Sequence, residues 1–345
     1  LMHTRPLPPD DSKVSEIGFG AWAIGGQWGP QNDDESLQTL HAAIDRGVNF
    51  IDTAEGYGNG HSEMLIAKAL KDRSEEVFVA TKTPPSPGPW PPSPYCRWQD
   101  RYSAAYLRDN VQQRLKNLSV ERIDLLQLHT WTRAWNDDPQ PLLVLRQLRD
   151  EGKINLIGVS TPEHDQDCVV QLMRNGLVDV VQVIFNLFNQ DAAAQILPVA
   201  AETGTGVIVR VALDEGSLAG KYAGNHVFGE DDFRSQYFAG DRMQRTAERV
   251  AEIRLFNGRC RTEICAVATR GEHGNCWHAN GETGRAEHAN ESTARFAGRG
   301  DHAIATTQLA PRHLVRRKIN NERTFIVAFR SAKVCAPTLL SGRER

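Results

Sequence analysis

The sequence NFIDTAEGYG, residues 49–58, carries the strongest structural signal in the chain. Its first half is a short apolar run that ends in the acidic residue Asp52. Tyr57 follows five residues later, on a turn rich in glycine. Short apolar runs bounded by turn residues are typical of buried strands. We therefore predict a strand that ends at Asp52 and a turn that presents Tyr57.

The next two apolar runs also end in a polar residue. Residues 77–80 lead into Lys82, and residues 123–128 lead into His129. Parallel strands need crossover connections, so their carboxyl ends meet at one rim of the sheet. We therefore predict that these two side chains lie at the same rim as the acid and the tyrosine of the first stretch.

Strand and helix signals alternate along most of the chain, which is typical of βαβ units. We predict an α/β fold of the (β/α)8 TIM barrel class, with residues 1–255 supplying seven strands. The predicted strands cover residues 14–20, 49–52, 77–80, 123–128, 154–159, 178–185 and 206–211. No later segment resembles an eighth strand followed by a helix, so we expect these two elements to be missing or degraded.

The composition is that of an ordinary soluble protein. The 345 residues are 40% hydrophobic and 24% charged, with a formal net charge of -3, so we expect no nucleic-acid partner. No apolar run approaches the roughly 18 residues of a membrane span, and we expect no membrane partner. The six cysteines have no paired spacing, and the amino terminus has no apolar signal core, so we expect a cytoplasmic location.

The four polar residues fit the reduction of a carbonyl group. Such a reaction needs a hydride donor, and it needs a proton for the alkoxide that forms. Tyr57 is the candidate acid, and the ammonium of Lys82 would lower the phenol's pKa. Asp52 would hold that ammonium in place, and His129 would orient and polarise the carbonyl. Taken singly each residue also has an ordinary structural explanation, but their order on successive strands favours a catalytic set.

These residues resemble the catalytic tetrad of the aldo-keto reductase family, and the resemblance covers about residues 14–255. It implies a small aldehyde or ketone substrate and NADPH as the cofactor, with NADH as the alternative. It implies cofactor contacts at Gly20, Ala21, Trp22, Ser160, Thr161, Gln182, Arg210, Leu213 and Ser217. Thr161 departs from the family's asparagine, and Arg210 stands where many members have a tyrosine that stacks on the nicotinamide. Arginine can also stack on a π face.

Tryptophan is concentrated in the predicted loops. Six of the seven tryptophans follow strands one, three and four, namely Trp22, Trp28, Trp90, Trp98, Trp131 and Trp135. Residues 83–98 also hold seven of the seventeen prolines, and a loop of that length is often a functional lid. We predict an apolar pocket that favours apolar or aromatic carbonyls, and the alternative is scattered loop packing.

The tail, residues 256–345, has none of the preceding periodicity, and we predict that it is frame-shifted or disordered. Read one nucleotide later, the codons for residues 275–288 permit Ile-Val-Gly-Met-Arg-Thr-Val-x-x-Val-Glu-x-Asn. The resemblance implies that this segment supplies strand eight and the helix that binds the 2′-phosphate of NADPH. We expect no metal site, because Cys260, Cys265, Cys276 and His278 match no usual zinc spacing.

Three alternatives stay open at this stage. The chain could be a catalytically impaired or inactive reductase, because a shifted frame would remove part of the barrel. It could also be an NADPH-binding regulatory subunit that turns over little. An aldolase or isomerase barrel is a weaker alternative, because a Schiff-base lysine does not need the tyrosine and histidine. The substrate, the cofactor preference and the oligomeric state are not predicted.

Overall fold

The computed structural model describes residues 2–10, 12–26, 28–256 and 326–330. A two-stranded antiparallel hairpin comes first, formed by β1 (Thr4–Leu7) and β2 (Ser12–Ser15). Eight parallel strands then close into a barrel. They are β3 (Ile17–Gly20), β4 (Phe50–Asp52), β5 (Phe78–Thr83), β6 (Ile123–Leu128), β7 (Ile154–Ser160), β8 (Val180–Ile184), β9 (Gly206–Arg210) and β10 (Ile326–Arg330). The predicted TIM barrel class is confirmed.

Helices connect the strands and cover the outside of the barrel. They are α1 (Asp33–Ile44), α2 (His61–Leu70), α3 (Ala104–Leu118), α4 (Gln140–Asp150), α5 (Val170–Arg174), α6 (Ile196–Thr203), α7 (Arg234–Tyr237) and α8 (Arg242–Phe256). The Asn32 side chain caps α1 by accepting the backbone N–H groups of Asp34 and Glu35, which the first turn of a helix cannot satisfy itself. None of the helices in the described part of the chain is long and apolar enough to cross a membrane.

The eighth position of the barrel differs from the sequence-based expectation of a missing strand. β10 lies between β9 and β3, and Ala328 pairs with Val209 on one side and with Ile17 on the other. Its sequence, IVAFR, is rich in β-branched and aromatic residues, a composition that suits a strand. The segment was missed because it is short and lies far from the preceding helix. The other tail features, namely the four zinc-ligand candidates and residues 275–288, lie outside the described residues.

The hairpin closes the amino-terminal end of the barrel. Leu7 and Val14 pack against the interior side chains Phe50, Ala80, Leu125, Leu156, Val180 and Ile208. A second and larger apolar cluster joins the strands to the surrounding helices. Because the lower part of the barrel is filled with side chains, the opposite rim, at the carboxyl ends of the strands, is available for a site.

Candidate active site

The carboxyl rim brings the four predicted catalytic residues together. Asp52 is the last residue of β4, and Lys82 lies near the end of β5. His129 directly follows β6, and Tyr57 lies on the turn between β4 and α2. Their meeting follows from the barrel, since β4, β5 and β6 are neighbouring parallel strands whose carboxyl ends lie at one rim.

Lys82 lies at the centre of the cluster and is fully buried. Its Nζ donates hydrogen bonds to Asp52 Oδ2 at 2.6 Å, to the Thr53 carbonyl oxygen at 3.0 Å and to Tyr57 Oη at 3.2 Å. Burial lowers the pKa of Lys82, but the charges of Asp52 and Tyr57 outweigh this effect, and the net direction is upward. The ammonium therefore stays charged and has three acceptors for its three protons.

Tyr57 can act as a proton donor in this arrangement. An ammonium has no acceptor, so Tyr57 Oη must accept the hydrogen bond from Lys82, which leaves the phenol's own proton free for another partner. Burial raises the pKa of Tyr57, while the charge of Lys82 opposes that rise. The sequence predicted that Lys82 lowers the pKa of Tyr57, but it did not indicate burial, which raises that pKa and is the larger effect. The phenol is accordingly protonated at neutral pH.

His129 stands beside the tyrosine and is held from two sides. Its backbone N–H donates to the Thr83 carbonyl oxygen at 2.9 Å. Its ring meets the Tyr57 ring edge-on, with centroids 5.9 Å apart, and meets the Trp90 ring in the same way at 5.4 Å. These contacts fix the position of the imidazole next to the phenol.

The His129 imidazole is neutral at neutral pH. Burial lowers its pKa well below the ordinary value, and the nearby positive charges of Lys82 and Arg210 lower it further. A neutral imidazole keeps one N–H donor and one acceptor. It can therefore donate a hydrogen bond to a carbonyl oxygen without carrying a charge.

Two glutamine side chains hold the Asp52 carboxylate from the side opposite the lysine. Gln182 Nε2 donates to Asp52 Oδ1 at 2.9 Å, and Gln127 Nε2 donates to the same oxygen at 3.2 Å. The resemblance implies that Gln182 binds the nicotinamide amide, but in this structure its amide nitrogen donates to the Asp52 carboxylate. Both oxygens of the Asp52 carboxylate therefore accept hydrogen bonds, one from the lysine and one from the glutamines.

Gln127 was missed by the sequence argument, although a signal for it exists. It is a polar residue between Leu126 and Leu128 in β6 and is fully buried. It also lies two residues before His129, so the two side chains are on the same face of the chain. A buried polar residue in that alternation pattern indicates a partner inside the barrel.

A buried ion pair supports the cluster from behind. Glu63 on α2 accepts hydrogen bonds from Arg114 Nε at 2.7 Å, from Thr81 Oγ1 at 2.6 Å and from Asn117 Nδ2 at 2.8 Å. Burial raises the pKa of Glu63, and the charge of Arg114 opposes that rise. Because Thr81 directly precedes Lys82, this network fixes α2 and α3 against the strand that carries the lysine.

The residues after β3 lie on the same rim. Gly20 ends the strand, and the Ala21 N–H donates to the Asp52 carbonyl oxygen at 2.9 Å. The Trp22 ring follows, with its centroid 6.3 Å from that of Tyr57. These three predicted cofactor residues therefore border the predicted catalytic cluster, and Trp22 contributes an apolar surface next to Tyr57.

Ser160, the last residue of β7, and Thr161, which follows it, differ in the hydrogen bonds that their hydroxyls make. The Thr161 hydroxyl is within 3.1 Å of both Gln166 Oε1 and the Gln182 carbonyl oxygen, so it is already engaged. The neighbouring Ser160 hydroxyl has no hydrogen bond to any described residue. Arg210 Nη2 donates to the Thr161 carbonyl oxygen at 2.9 Å. The Thr161 backbone thus positions the guanidinium.

The loop after β9 has an unusual backbone. Asp214, Glu215 and Gly216 are left-handed in succession, with φ of 46°, 51° and 90°. Non-glycine residues in this region cost energy and concentrate at functional sites. The Leu213 carbonyl oxygen accepts the Gly216 N–H at 2.9 Å, and the Ser217 hydroxyl donates to Asp214 Oδ2 at 2.6 Å. The loop is therefore folded tightly on itself.

A nicotinamide cofactor fits the groups that this rim leaves available. Arg210 Nε is buried and has no hydrogen-bond partner among the described residues. A buried donor without a partner is costly, and a bound polar ligand is one way to satisfy it. In the neighbouring loop from Leu213 to Ser217, the N–H groups of Asp214, Gly216 and Ser217 are already bonded to nearby backbone carbonyl oxygens. Ser160 adds an uncommitted hydroxyl.

An aromatic segment packs over the first loop. Arg234 stacks on Trp28 at 4.3 Å and on Phe228 at 4.7 Å, and its guanidinium pairs with the Asp232 carboxylate. The Phe233 ring lies 4.8 Å from that of Trp22, centroid to centroid. The segment therefore closes one side of the rim.

Only some of the predicted tryptophans face the tetrad. Trp22 and Trp90 contact Tyr57 and His129, and Trp90 is 59% exposed. The other four serve in packing or in hydrogen bonds with other loops: Trp28, Trp98, Trp131 and Trp135. The pocket that the structure supports thus has two indoles and not six. No group of three metal-ligating side chains occurs among the described residues.

Comparisons with known proteins agree on one family. The sequence profile of the Aldo/keto reductase family matches residues 16–327, which extends beyond residue 255. The aldo-keto reductase YhdN of Bacillus subtilis is 34% identical over 230 residues, which are 65% of this chain and 66% of that protein. The NADH-specific methylglyoxal reductase of Escherichia coli is 28% identical over 286 residues, covering 78% and 84% of the two chains.

A solved structure has a similar fold. The glycerol dehydrogenase AKR11B4 of Gluconobacter oxydans superposes with a TM-score of 0.60 at 30% identity, covering 77% of this chain and 81% of that one. The predicted resemblance is confirmed by the profile, by the relatives and by this structure. This chain belongs to the aldo-keto reductase family of oxidoreductases.

Proposed function

We propose that this protein reduces an aldehyde or a ketone with NADPH, and that it catalyses the reverse oxidation of the alcohol. The observation that carries the proposal is the Lys82 ammonium, which contacts Asp52, the Thr53 carbonyl and Tyr57 at once. That geometry leaves the tyrosine proton available beside a neutral histidine. A bound nicotinamide supplies the hydride for this chemistry.

The side chains of this chain move and stabilise the proton. The carbonyl oxygen accepts hydrogen bonds from Tyr57 Oη and from the imidazole of His129. As negative charge develops on that oxygen, Tyr57 gives up its proton. Lys82 then stabilises the phenolate through the hydrogen bond that it already makes. Asp52 keeps the lysine charged throughout.

We assign the cofactor contacts to two groups of residues. The available side-chain groups at the rim are the Ser160 hydroxyl and Arg210 Nε, and we assign Leu213 and Ser217 to the pyrophosphate, as the resemblance implies. Gly20, Ala21, Trp22, Thr161 and Gln182 border the same space. We propose NADPH, as the resemblance implies. NADH is the alternative, since one relative is named as NADH-specific.

We propose an apolar or aromatic carbonyl compound as the substrate. Trp22 and Trp90 flank the catalytic tyrosine and histidine, and most of the Trp90 ring is open to solvent. Aromatic surfaces that line a site select for apolar ligands. A panel of aldehydes tests this: Trp90→Ala should raise KM for benzaldehydes more than for glyceraldehyde. Equal effects on both substrates would contradict the proposed selectivity.

The proposed reaction is tested by the loss of one hydroxyl. Tyr57→Phe should reduce kcat for aldehyde reduction by about a hundredfold or more, because the transition state loses its acid. Cofactor binding, measured by fluorescence quenching, should change little. Tyr95→Phe is the matched control, because Tyr95 is 94% exposed. Cofactor binding without multiple turnover by the unmodified protein would favour the regulatory-subunit alternative instead.

We also propose that residues 1–255 carry strands one to seven of the reductase barrel and that residues 256–345 include a frame-shifted segment. The codon pattern of residues 275–288 supports this proposal. We further propose a cytoplasmic location, which is supported by the free thiols of Cys96 and Cys168 in the described part of the chain.

A further inference from the structure

Arg210 is a positively charged side chain at the rim without a close counter-ion. Among the described residues, no carboxylate forms an ion pair with it within 4.0 Å. Its Nη2 donates to the neutral Thr161 carbonyl oxygen at 2.9 Å, and its Nε has no partner. An arginine stays charged at all ordinary pH values. The guanidinium therefore has no ion-pair partner at close range among the described residues.

That charge reaches the catalytic groups. Burial raises the pKa of Tyr57 and lowers that of His129, and the positive charge of Arg210 opposes the first shift and adds to the second. Any nicotinamide that delivers hydride to a carbonyl held by those two residues must also lie within the field of this guanidinium. The other cation, Lys82, is neutralised by Asp52 through a 2.6 Å ion pair.

The two redox states of a nicotinamide differ by one charge at the ring. The oxidised ring is a pyridinium cation, and the reduced dihydronicotinamide ring is neutral. A fixed cation nearby raises the free energy of the first but not of the second. Glu215 is a buried carboxylate that interacts with Arg210. Burial raises its pKa to about 7, so Glu215 is only partly ionised at neutral pH and offsets the charge of Arg210 only in part.

We propose that Arg210 makes this site discriminate between the redox states of the nicotinamide cofactor, so that the reduced form binds more tightly than the oxidised form. This inference rests on the proposed function. It gives Arg210 a role different from stacking alone, since an uncharged aromatic side chain at the same place would lack it. A site of this kind releases oxidised cofactor readily after carbonyl reduction.

The test is the ratio of two dissociation constants. The Kd of NADP+ and the Kd of NADPH are measured with the full chain and with Arg210→Gln and Arg210→Lys, by calorimetry and by fluorescence quenching. Arg210→Gln should lower the ratio Kd(NADP+)/Kd(NADPH) about tenfold, as expected for the loss of one charge acting across a partly screened site. Arg210→Lys keeps the charge and should keep the ratio. The 2′-phosphate is common to both ligands and cancels.

Two controls separate this effect from general damage. The compound 2′-phospho-ADP-ribose lacks the nicotinamide, so its affinity should not change in Arg210→Gln. Arg108→Gln removes a partly exposed arginine on α3 that pairs with Glu151, and it should leave the ratio unchanged.

The outcomes are distinct. A fall of at least about threefold in the ratio for Arg210→Gln alone supports the inference. A smaller change, or an equal fall in Arg210→Lys, overturns it while leaving the proposed function intact. Failure of the unmodified chain to bind either nucleotide overturns both.

Discussion

Lys82 Nζ lies 3.2 Å from Tyr57 Oη and 2.6 Å from Asp52 Oδ2, so one ammonium connects the proposed acid to a buried carboxylate. Both members of the ion pair are nearly inaccessible, with exposures of 0% for Lys82 and 5% for Asp52. A buried pair of this kind is costly to break, because the remaining charge is left without its partner. Catalysis and stability therefore depend on the same contact.

The first prediction follows from that pair. Lys82→Met should destabilise the fold by about 3–5 kcal/mol, because the Asp52 carboxylate is left buried without its ammonium. The double variant Asp52→Asn/Lys82→Met should recover much of this loss, since no buried charge remains. Urea unfolding measures the stability of the single and the double variant, and the aldehyde reductase activity of each variant should stay low. A double variant as unstable as Lys82→Met would show that the unpaired Asp52 carboxylate is not the cause of the lost stability.

His129 should make the protein sensitive to mild acid. Its pKa is lowered in the folded state, so below the ordinary value near 6.5 the unfolded chain binds a proton that the folded chain does not. Stability should therefore fall as the pH decreases from 6.5, by up to about 1.4 kcal/mol per pH unit from this group. His129→Asn should have a shallower loss of Tm between pH 6.5 and 5. Parallel melting curves for the two proteins would count against the assignment.

Glu215 should destabilise the fold at neutral and alkaline pH. Burial raises its pKa to about 7, while Arg210 opposes the rise and Asp214 adds to it, with smaller contributions from Glu163 and Arg234. A carboxylate with a raised folded pKa costs stability as the pH rises through that value. Glu215→Gln should therefore stabilise the protein by up to about 3 kcal/mol at pH 8 and by little at pH 4.5. An equal Tm change at both pH values would contradict this.

Barrel closure should depend on β10. Ala328 lies opposite Ile17 and Val209 in the ladders on both sides, and proline cannot donate the hydrogen bond that a central strand needs. Ala328→Pro should lower Tm by several degrees, a shift that corresponds to about 1–2 kcal/mol for a domain of this size. Ala328→Ser is the control. An unchanged Tm would show that β10 contributes nothing to the fold in solution.

The tail should limit cofactor affinity if its frame is shifted. A version in which residues 275–288 are restored to the alternative frame should bind NADPH more tightly than the present chain in a fluorescence titration. The physical reason is charge pairing, since the restored segment would supply an arginine for the 2′-phosphate. Equally tight binding by both versions would contradict the frame shift as an explanation of function.

Much of the site follows from local patterns. Asp52, Lys82 and His129 could be placed because each ends an apolar run, and parallel strands bring their carboxyl ends to one rim. Tyr57 could be placed because its turn begins at one of those ends. Each of these inferences uses only a short stretch of chain and the geometry of a barrel.

The remaining contacts depend on packing between distant parts of the chain. Gln127 and Gln182 converge on one oxygen of Asp52 from two other strands, and no local pattern indicates which donor fills which lone pair. Likewise, Trp131 and Trp135 follow a strand as Trp22 does, yet they are buried against each other. Their direction is set by the space that neighbouring loops leave.

Sequence periodicity establishes the order of the strands and the residues at their ends, because hydrophobic burial and turn chemistry act over a few neighbouring residues. The protonation states of Tyr57 and His129 and the unpaired charge of Arg210 arise only in the folded barrel. These properties depend on burial and on distances between charges, which are defined once strands far apart in the chain have closed around one centre.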